Sequence, residues 1–261
     1  MKKAFLLSII AFPLASSHGA GVLYRNAVMA NSPIAYYEFD EASGTTAADT
    51  TGSFDGTYTG SVGYSAATGA ANLGSAIDFT GGYVALPNLG TFGQSTVEAW
   101  IQLDTVNAGC CSGILTANGW ATGRLHFNVN TNVFEHAVNG DTQVSVNTAV
   151  TVAASTWYHL VVTNDVLADQ TRYYLNGAEV ADNGDHTSQN IVFGVDGMQI
   201  GAWDGGRNLD GRLDEVAIYD SVLSPADVSN HFNAASIPEP SIGLLFGLSA
   251  IGLVARRRRQ S

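Results

Sequence analysis

Between residues 34 and 219 the chain runs in short segments where every second residue is apolar, separated by clusters of glycine, asparagine and aspartate. A repeat of two places alternate side chains on opposite faces of a strand, so each segment predicts a strand with one buried face. The pattern predicts strands over 34–39, 76–79, 83–86, 95–103, 112–116, 124–129, 132–138, 143–151, 157–163, 171–176, 197–201 and 212–219. In four of them the faces separate cleanly. Val97, Ala99, Ile101 and Leu103, with Leu125, Phe127 and Val129, Tyr158, Leu160 and Val162, and Tyr173 and Leu175, form the inter-sheet core. Glu98, Trp100 and Gln102, Arg124, His126 and Asn128, Trp157, His159 and Val161, and Arg172, Tyr174 and Asn176 face the other way. One helix is signalled late. Ser224 offers an N-cap, Pro225 the first helical position and Asp227 an acid at the third, and Val228 and Phe232 lie four apart to dock on the sandwich.

The two ends break this pattern. Lys2 and Lys3 precede an apolar run, Ala4 to Ala15, and small residues follow; this is a secretory signal with cleavage between Ser17 and Gly21, too short to span a bilayer. At the other end Pro238, Glu239 and Pro240 precede an apolar stretch, Ile242 to Ala255, and then Arg256, Arg257, Arg258 and Arg259. At 1.5 Å per residue that stretch reaches only roughly 21 Å, which suits transient retention better than a permanent anchor. The segments are therefore a leader (1–20), one folded domain (21–235) and a C-terminal segment (236–261).

Charge narrows the partners. Between the ends there are five arginines, no lysine and 22 acidic residues, a net of −17. Such a surface repels phosphate backbones and argues against nucleic acid as a partner. Cys110 and Cys111 are the chain's two cysteines. Adjacent Cα atoms lie too close for an ordinary staple, which leaves a vicinal disulfide, an intermolecular bridge or two free thiols.

The C-terminal segment resembles the PEP-CTERM sorting signal, carried by Pro238, Glu239 and Pro240, the apolar stretch and Arg256 to Arg259 in that order. The resemblance implies processing by an exosortase-type enzyme, passage through the inner membrane and delivery to the surface of a Gram-negative cell.

The domain resembles the laminin-G-like family in its ordered pieces: 34–39, Gly44, 48–52, 76–79, 97–101, 157–161, the hairpin 174–177, 200–201 and 211–219, with Leu223 and Ser224. The resemblance implies an all-β fold, an antiparallel two-sheet jelly-roll sandwich of the concanavalin-A-like kind. A short C-terminal helix and a separate C-terminal apolar helix complete the expected architecture. The family includes glycan binders, protein binders and modules attached to enzymes, so the fold alone does not assign a function.

Related sandwich glycosidases carry paired carboxylates spaced E-x-D-x-x-E on one strand, one as nucleophile or base and one as acid. Here Glu98 stands alone, with Trp100 and Gln102 on its face, and the chain carries none of the common catalytic motifs. Asp214 and Glu215 are adjacent, and on a regular strand they face opposite sides. The expectation is a non-catalytic protein. If the strands neighbour one another, Glu98, Trp100, Gln102, Arg124, His126, Asn128, Arg172 and Tyr174 make a polar, aromatic platform for a polysaccharide. The opposing reading buries the same residues under a second packed layer. Trp203 and Arg207, in a glycine-rich loop, offer a rim site instead. The resemblance also implies one structural calcium held by Asp49 and Asp214, with Asp204 and Asp210 as weaker candidates. The expected partner is extracellular polysaccharide or a surface protein; the alternative role is a structural matrix protein without a specific glycan.

Overall fold

The computed structural model describes residues 21–236 apart from 71, 107–109, 131, 140–143, 148–149, 184–188 and 195–196. The leader lies outside the described residues. So does the segment carrying Pro238, Glu239, Pro240, the apolar stretch and Arg256 to Arg259.

The alternating segments form strands in chain order. They are β1 (Ala35–Tyr37), β2 (Thr46–Ala47), β3 (Gly56–Thr59), β4 (Gly63–Ala66), β5 (Ala76–Phe79), β6 (Tyr83–Leu86), β7 (Gly90–Phe92), β8 (Gln94–Leu103) and β9 (Cys110–Ala117). There follow β10 (Leu125–Asn130), β11 (Val133–Val138), β12 (Val144–Asn147), β13 (Trp157–Asp165), β14 (Gln170–Leu175), β15 (Ala178–Asn183), β16 (Ile191–Phe193), β17 (Met198–Ile200) and β18 (Gly211–Tyr219). Two helices, α1 (Val22–Ala30) and α2 (Pro225–Ser236), flank them.

The strands build two sheets. The first runs β15-β14-β13-β8-β18-β5-β4, with β1 also paired to β18; the second runs β12-β11-β10-β9-β17-β6-β3-β2; β16 and β7 make a short ribbon. The strand pairs are antiparallel, as in the register Leu160↔Ala99 between β13 and β8 and Phe127↔His136 between β10 and β11. The facing surfaces enclose one core in which Val97, Ile101, Leu160, Val162, Tyr173 and Leu213 of the first sheet meet Leu115, Leu125, Phe127, Phe134 and Ile200 of the second. Val97, Ile101, Leu160, Val162, Tyr173, Leu125 and Phe127 are among the residues that the alternation assigned to the interior.

A second apolar cluster lies on the outer face of the first sheet. Tyr24 and Val28 from α1 and Val228, Phe232 and Ala235 from α2 pack there on Trp100, Val161, Tyr174, Ala217 and Tyr219. The predicted helix starts where its cap requires: the Asp227 amide donates to Ser224 Oγ at 3.2 Å, and the Ser224 hydroxyl donates back to the Asp227 carboxylate at 2.5 Å. The pattern does not predict α1, whose nine residues are too few to hold a helix without the tyrosine and valine it buries. Strands β2, β3, β4, β7, β15 and β16 are likewise absent from the prediction; none exceeds six residues.

The alternation also fails in β18. The register with β8 shifts between Asp214 and Ala217, and Glu215 sits in the left-handed region at φ 53°. Asp214 and Glu215, expected on opposite sides of a regular strand, therefore stand at a bulge; both are buried, and burial drives both carboxyls well above the usual range. The charge of Glu215 adds to the effect on Asp214.

Candidate functional site

The platform expected on β8, β13 and β14 is covered. Glu98 is fully buried and Trp100 is 3 % exposed. Trp100 stacks on Phe232 of α2 with ring centroids 5.8 Å apart and planes 14° from parallel. Glu98 gathers four partners. Tyr24 and Tyr219 donate their hydroxyls at 2.7 and 2.9 Å, and ring nitrogens of His159 and His231 lie at 2.7 and 3.0 Å. Burial alone would raise the Glu98 carboxyl, but the charge of His231 and the hydrogen bonds of both histidines hold it well below the usual range. Burial works against a charge on His231 too, and the Glu98 carboxylate outweighs it, raising that imidazole above 6.5. Gln102 bonds Arg212, Tyr174 is buried beneath the helices, and Arg172 reaches Glu179 at 4.0 Å. His126 and Asn128 belong to the other sheet, and Arg124 immediately precedes its strand β10. The eight residues therefore do not form one surface, because a second layer of helices uses the outward face of β8 as its own core.

The calcium expectation does not fit either. Asp49 is a loop organiser: Oδ1 accepts from the amides of Tyr36 and Thr51 at 2.8 and 3.0 Å, and Oδ2 from the Thr51 hydroxyl and the amides of Ser53 and Phe54 at 2.5, 3.0 and 2.9 Å. Those donors occupy the lone pairs a cation would need. Both Asp214 oxygens are buried without a hydrogen-bond partner, yet no group of three metal-ligating side chains occurs among the described residues. Asp204 caps the Gly119 amide at 3.1 Å and Asp210 accepts from the Thr105 hydroxyl at 2.5 Å.

Among the described residues no helix covers the outer face of the second sheet, which holds a different arrangement. Because Leu125, Phe127 and Val129 point into the core, His126, Asn128 and Asn130 of β10 point out, level with Ala137, Glu135 and Val133 of β11. The loop after β17 folds back over this face. Gly113 of β9 permits it: a Cβ there would lie 2.4 Å from the Ala202 carbonyl. The Gly113 amide donates to the Arg207 carbonyl at 3.1 Å, and the Thr116 hydroxyl donates to the Ala202 carbonyl at 2.6 Å. Trp203 is thereby pinned against His126, ring centroids 4.5 Å apart, and the Arg207 guanidinium sits 4.5 Å above the Trp203 ring. Trp120, from the turn after β9, completes the stack at 4.6 Å from His126 and 5.0 Å from Trp203, and is 55 % exposed.

These groups line a pocket of about 290 Å3 with Cys111, Asn128, Asn130, Glu135 and Ala137. Glu135 accepts a hydrogen bond from the Asn130 amide. Asn128 Oδ1 and Trp203 Nε1 are buried without a partner. Burial pushes the His126 imidazole down to about 4, with Arg124 and Arg207 adding to the effect against Asp204, so the ring is neutral at neutral pH. Cys111 is disulfide-bonded, at φ 103°, which removes the alternative of two free thiols. The arrangement offers an exposed indole face, a fixed guanidinium, a carboxylate and unsatisfied amide and indole atoms in one concavity.

Of the predicted platform residues, His126 and Asn128 line this pocket, and the suggested rim pair Trp203 and Arg207 joins them. Sequence reasoning missed Trp120, Asn130, Glu135, Ala137 and Cys111. The signal for Trp120 was its setting, a tryptophan in a turn between Gly119 and Gly123 with no apolar period around it.

Solved structures share the fold. Domain 4 of the extracellular arabinanase AbnA from Geobacillus stearothermophilus, solved with arabinotriose, superposes with a TM-score of 0.60 at 20 % identity over 78 % of this chain and 98 % of that domain. A botulinum neurotoxin type C structure, described with two ganglioside molecules, gives 0.63 at 15 % identity, covering 80 % of this chain and 53 % of the other. Trypanosoma rangeli sialidase gives 0.55 at 14 % identity over 76 % of this chain and 32 % of the enzyme. The chain thus spans about half of the neurotoxin structure and a third of the sialidase. No curated protein sequence matches. Residues 236–259 match the PEP-CTERM protein-sorting motif, which marks an exported protein and implies processing by an exosortase. Residues 78–229 match the model of the concanavalin A-like lectin/glucanase superfamily in its Laminin_G_3 form, and with more than half its length matched the chain belongs to that family.

Proposed function

We propose that the protein is a non-catalytic glycan-binding module, exported by its signal peptide and delivered through its sorting signal to the surface of a Gram-negative cell, where it holds extracellular polysaccharide. The observation that carries this reading is the Trp120–His126–Trp203–Arg207 stack, which presents an exposed aromatic face inside a polar pocket. Sugars need a π-face against their C–H surface and donors and acceptors for their hydroxyls. The fold neighbours solved with arabinotriose and described with gangliosides support the class of ligand. Among the described residues lining the pocket Glu135 is the one carboxylate, and a glycosidase needs two, so binding without hydrolysis is the better reading.

The test is binding of the full-length protein to the host's exopolysaccharide and to a glycan array, beside a Trp120→Ala variant. Loss of the indole is expected to weaken binding about tenfold or more with circular dichroism unchanged. Chelation with EDTA is expected to leave binding intact, since the Asp49 oxygens are already filled. Equal binding by the variant would remove this pocket from the function. Self-association with no glycan bound would favour a structural matrix role.

A further inference from the structure

The cations of the folded domain are few, and their partners are informative. Arg25 pairs with Glu38, Arg172 reaches Glu179, Arg212 pairs with Asp78, and Arg124 donates to the Asn118 carbonyl. Arg207 makes no ion pair among the described residues, although the chain has 23 acidic residues. Arg207 is held: its carbonyl is bound by the Gly113 amide, its own amide donates to the Trp203 carbonyl at 3.0 Å, and its guanidinium carbon sits 4.5 Å from the centre of the Trp203 ring. A guanidinium resting over an aromatic ring keeps N–H donors to offer another partner.

We propose that the pocket selects a sugar bearing a carboxylate, a uronic or other sugar acid, with Arg207 as the carboxylate's partner and Trp120 as the stacking surface. The proposal rests on the glycan-binding reading and names the ligand class for the same site. The remaining polar groups fit the rest of such a ligand. Asn128 Oδ1, buried and unsatisfied, accepts from a hydroxyl, and the Glu135 carboxylate accepts from another. A cavity of about 290 Å3 has room for roughly one sugar ring, at the small end of ligand sites. That size suits the surrounding charge. A net of −17 repels an extended polyanion, while a single acidic ring meets the local guanidinium first.

The experiment is titration calorimetry of the full-length protein with short oligosaccharides of galacturonic, glucuronic and mannuronic acid and with sialyllactose. Each is paired with its methyl ester or neutral parent, and Arg207→Gln and Trp120→Ala are run alongside. The expected result is that at least one acid binds about 10- to 100-fold tighter than its uncharged counterpart, the range of a charge-assisted hydrogen-bonded pair. Arg207→Gln should abolish that preference while leaving residual binding, and Trp120→Ala should weaken acid and neutral forms together. Equal affinity for acids and neutral counterparts would overturn the acidic-sugar inference and leave the glycan-binding reading standing. A preference that survives Arg207→Gln would overturn the role of Arg207. Binding of no saccharide would overturn both readings.

Discussion

Glu98 and Asp214 are buried carboxylates on neighbouring strands, with opposite fates. Glu98 is ringed by two tyrosine hydroxyls and two histidines and stays ionised. Asp214 has no hydrogen-bond partner on either oxygen, and burial followed by the charges of Glu215, Asp40 and Glu38 keeps its proton on. A carboxyl whose proton affinity is raised on folding costs nothing below its unfolded value. Above that value the cost grows, because the folded chain must hold a proton that the unfolded chain has released. Asp214→Asn is therefore expected to stabilise the protein at neutral pH, by about 1–3 kcal/mol. The gain should shrink as pH falls toward the usual carboxylate range. Denaturant unfolding of the two proteins at neutral and acidic pH checks both statements; a loss of stability at neutral pH would mean that Asp214 is ionised and satisfied in the fold. Nothing in the sequence separated these two residues. Both read as polar positions in alternating strands, and only the packing around each decides its charge.

At the scale of elements, α1 and α2 determine which face of the sandwich is free. Both lie on the first sheet and meet through His231, whose second ring nitrogen lies 2.9 Å from Asn31 Oδ1. Phe232 anchors α2 between Trp100 and His159, and Gly177, at φ 78°, leaves room for it: a Cβ there would lie 2.8 Å from the Phe232 Cβ. Phe232→Ala is expected to cost about 2–3 kcal/mol, less than a fully buried phenylalanine because the ring is only half-buried. Chemical denaturation measures the loss. Glycan binding should persist in the folded variant, because the pocket stands on the other sheet; loss of both would place part of the site on the helices. The Ser224–Asp227 cap made α2 readable in advance. The docking surface of α2 was not readable, since Trp100 and Tyr174 look the same whether they meet a helix or a sugar.

For the molecule as a whole, the buried histidine–carboxylate group sets a pH window. The Glu98 carboxyl is lowered on folding, so its stabilisation is present above its ordinary value of 4.5 and is lost as pH falls through the lower folded value. His231 is raised, so its stabilisation is full below 6.5 and is lost as pH rises through the higher folded value. The contribution of this group to thermal stability is expected to be greatest between about pH 4.5 and 6.5 and to fall off on both sides, with the raised carboxyls of Asp214 and Glu215 adding a separate loss as pH rises. His231→Gln should flatten the alkaline limb and leave the acid limb in place; an unchanged alkaline limb would assign it to other groups. The same architecture sets the two ends of the protein's task apart. The sorting motif begins at residue 236, where α2 ends on the first sheet, while the pocket opens on the outer face of the second.

The sequence by itself determined the sandwich, the interior residues of its main strands, the late helix and the sorted C-terminus. Each of these follows from local periodicity, a cap or a contiguous motif, which act over a few neighbouring residues. The tertiary structure decided where binding chemistry is exposed. Alternation tells that His126 and Trp100 both point away from the core, but not that α2 covers Trp100 while a loop 80 residues downstream brings Trp203 and Arg207 onto His126. Those contacts depend on the order of strands in the sheets and on a glycine in β9 that admits a backbone from elsewhere. Neither is written into the pattern of any single segment.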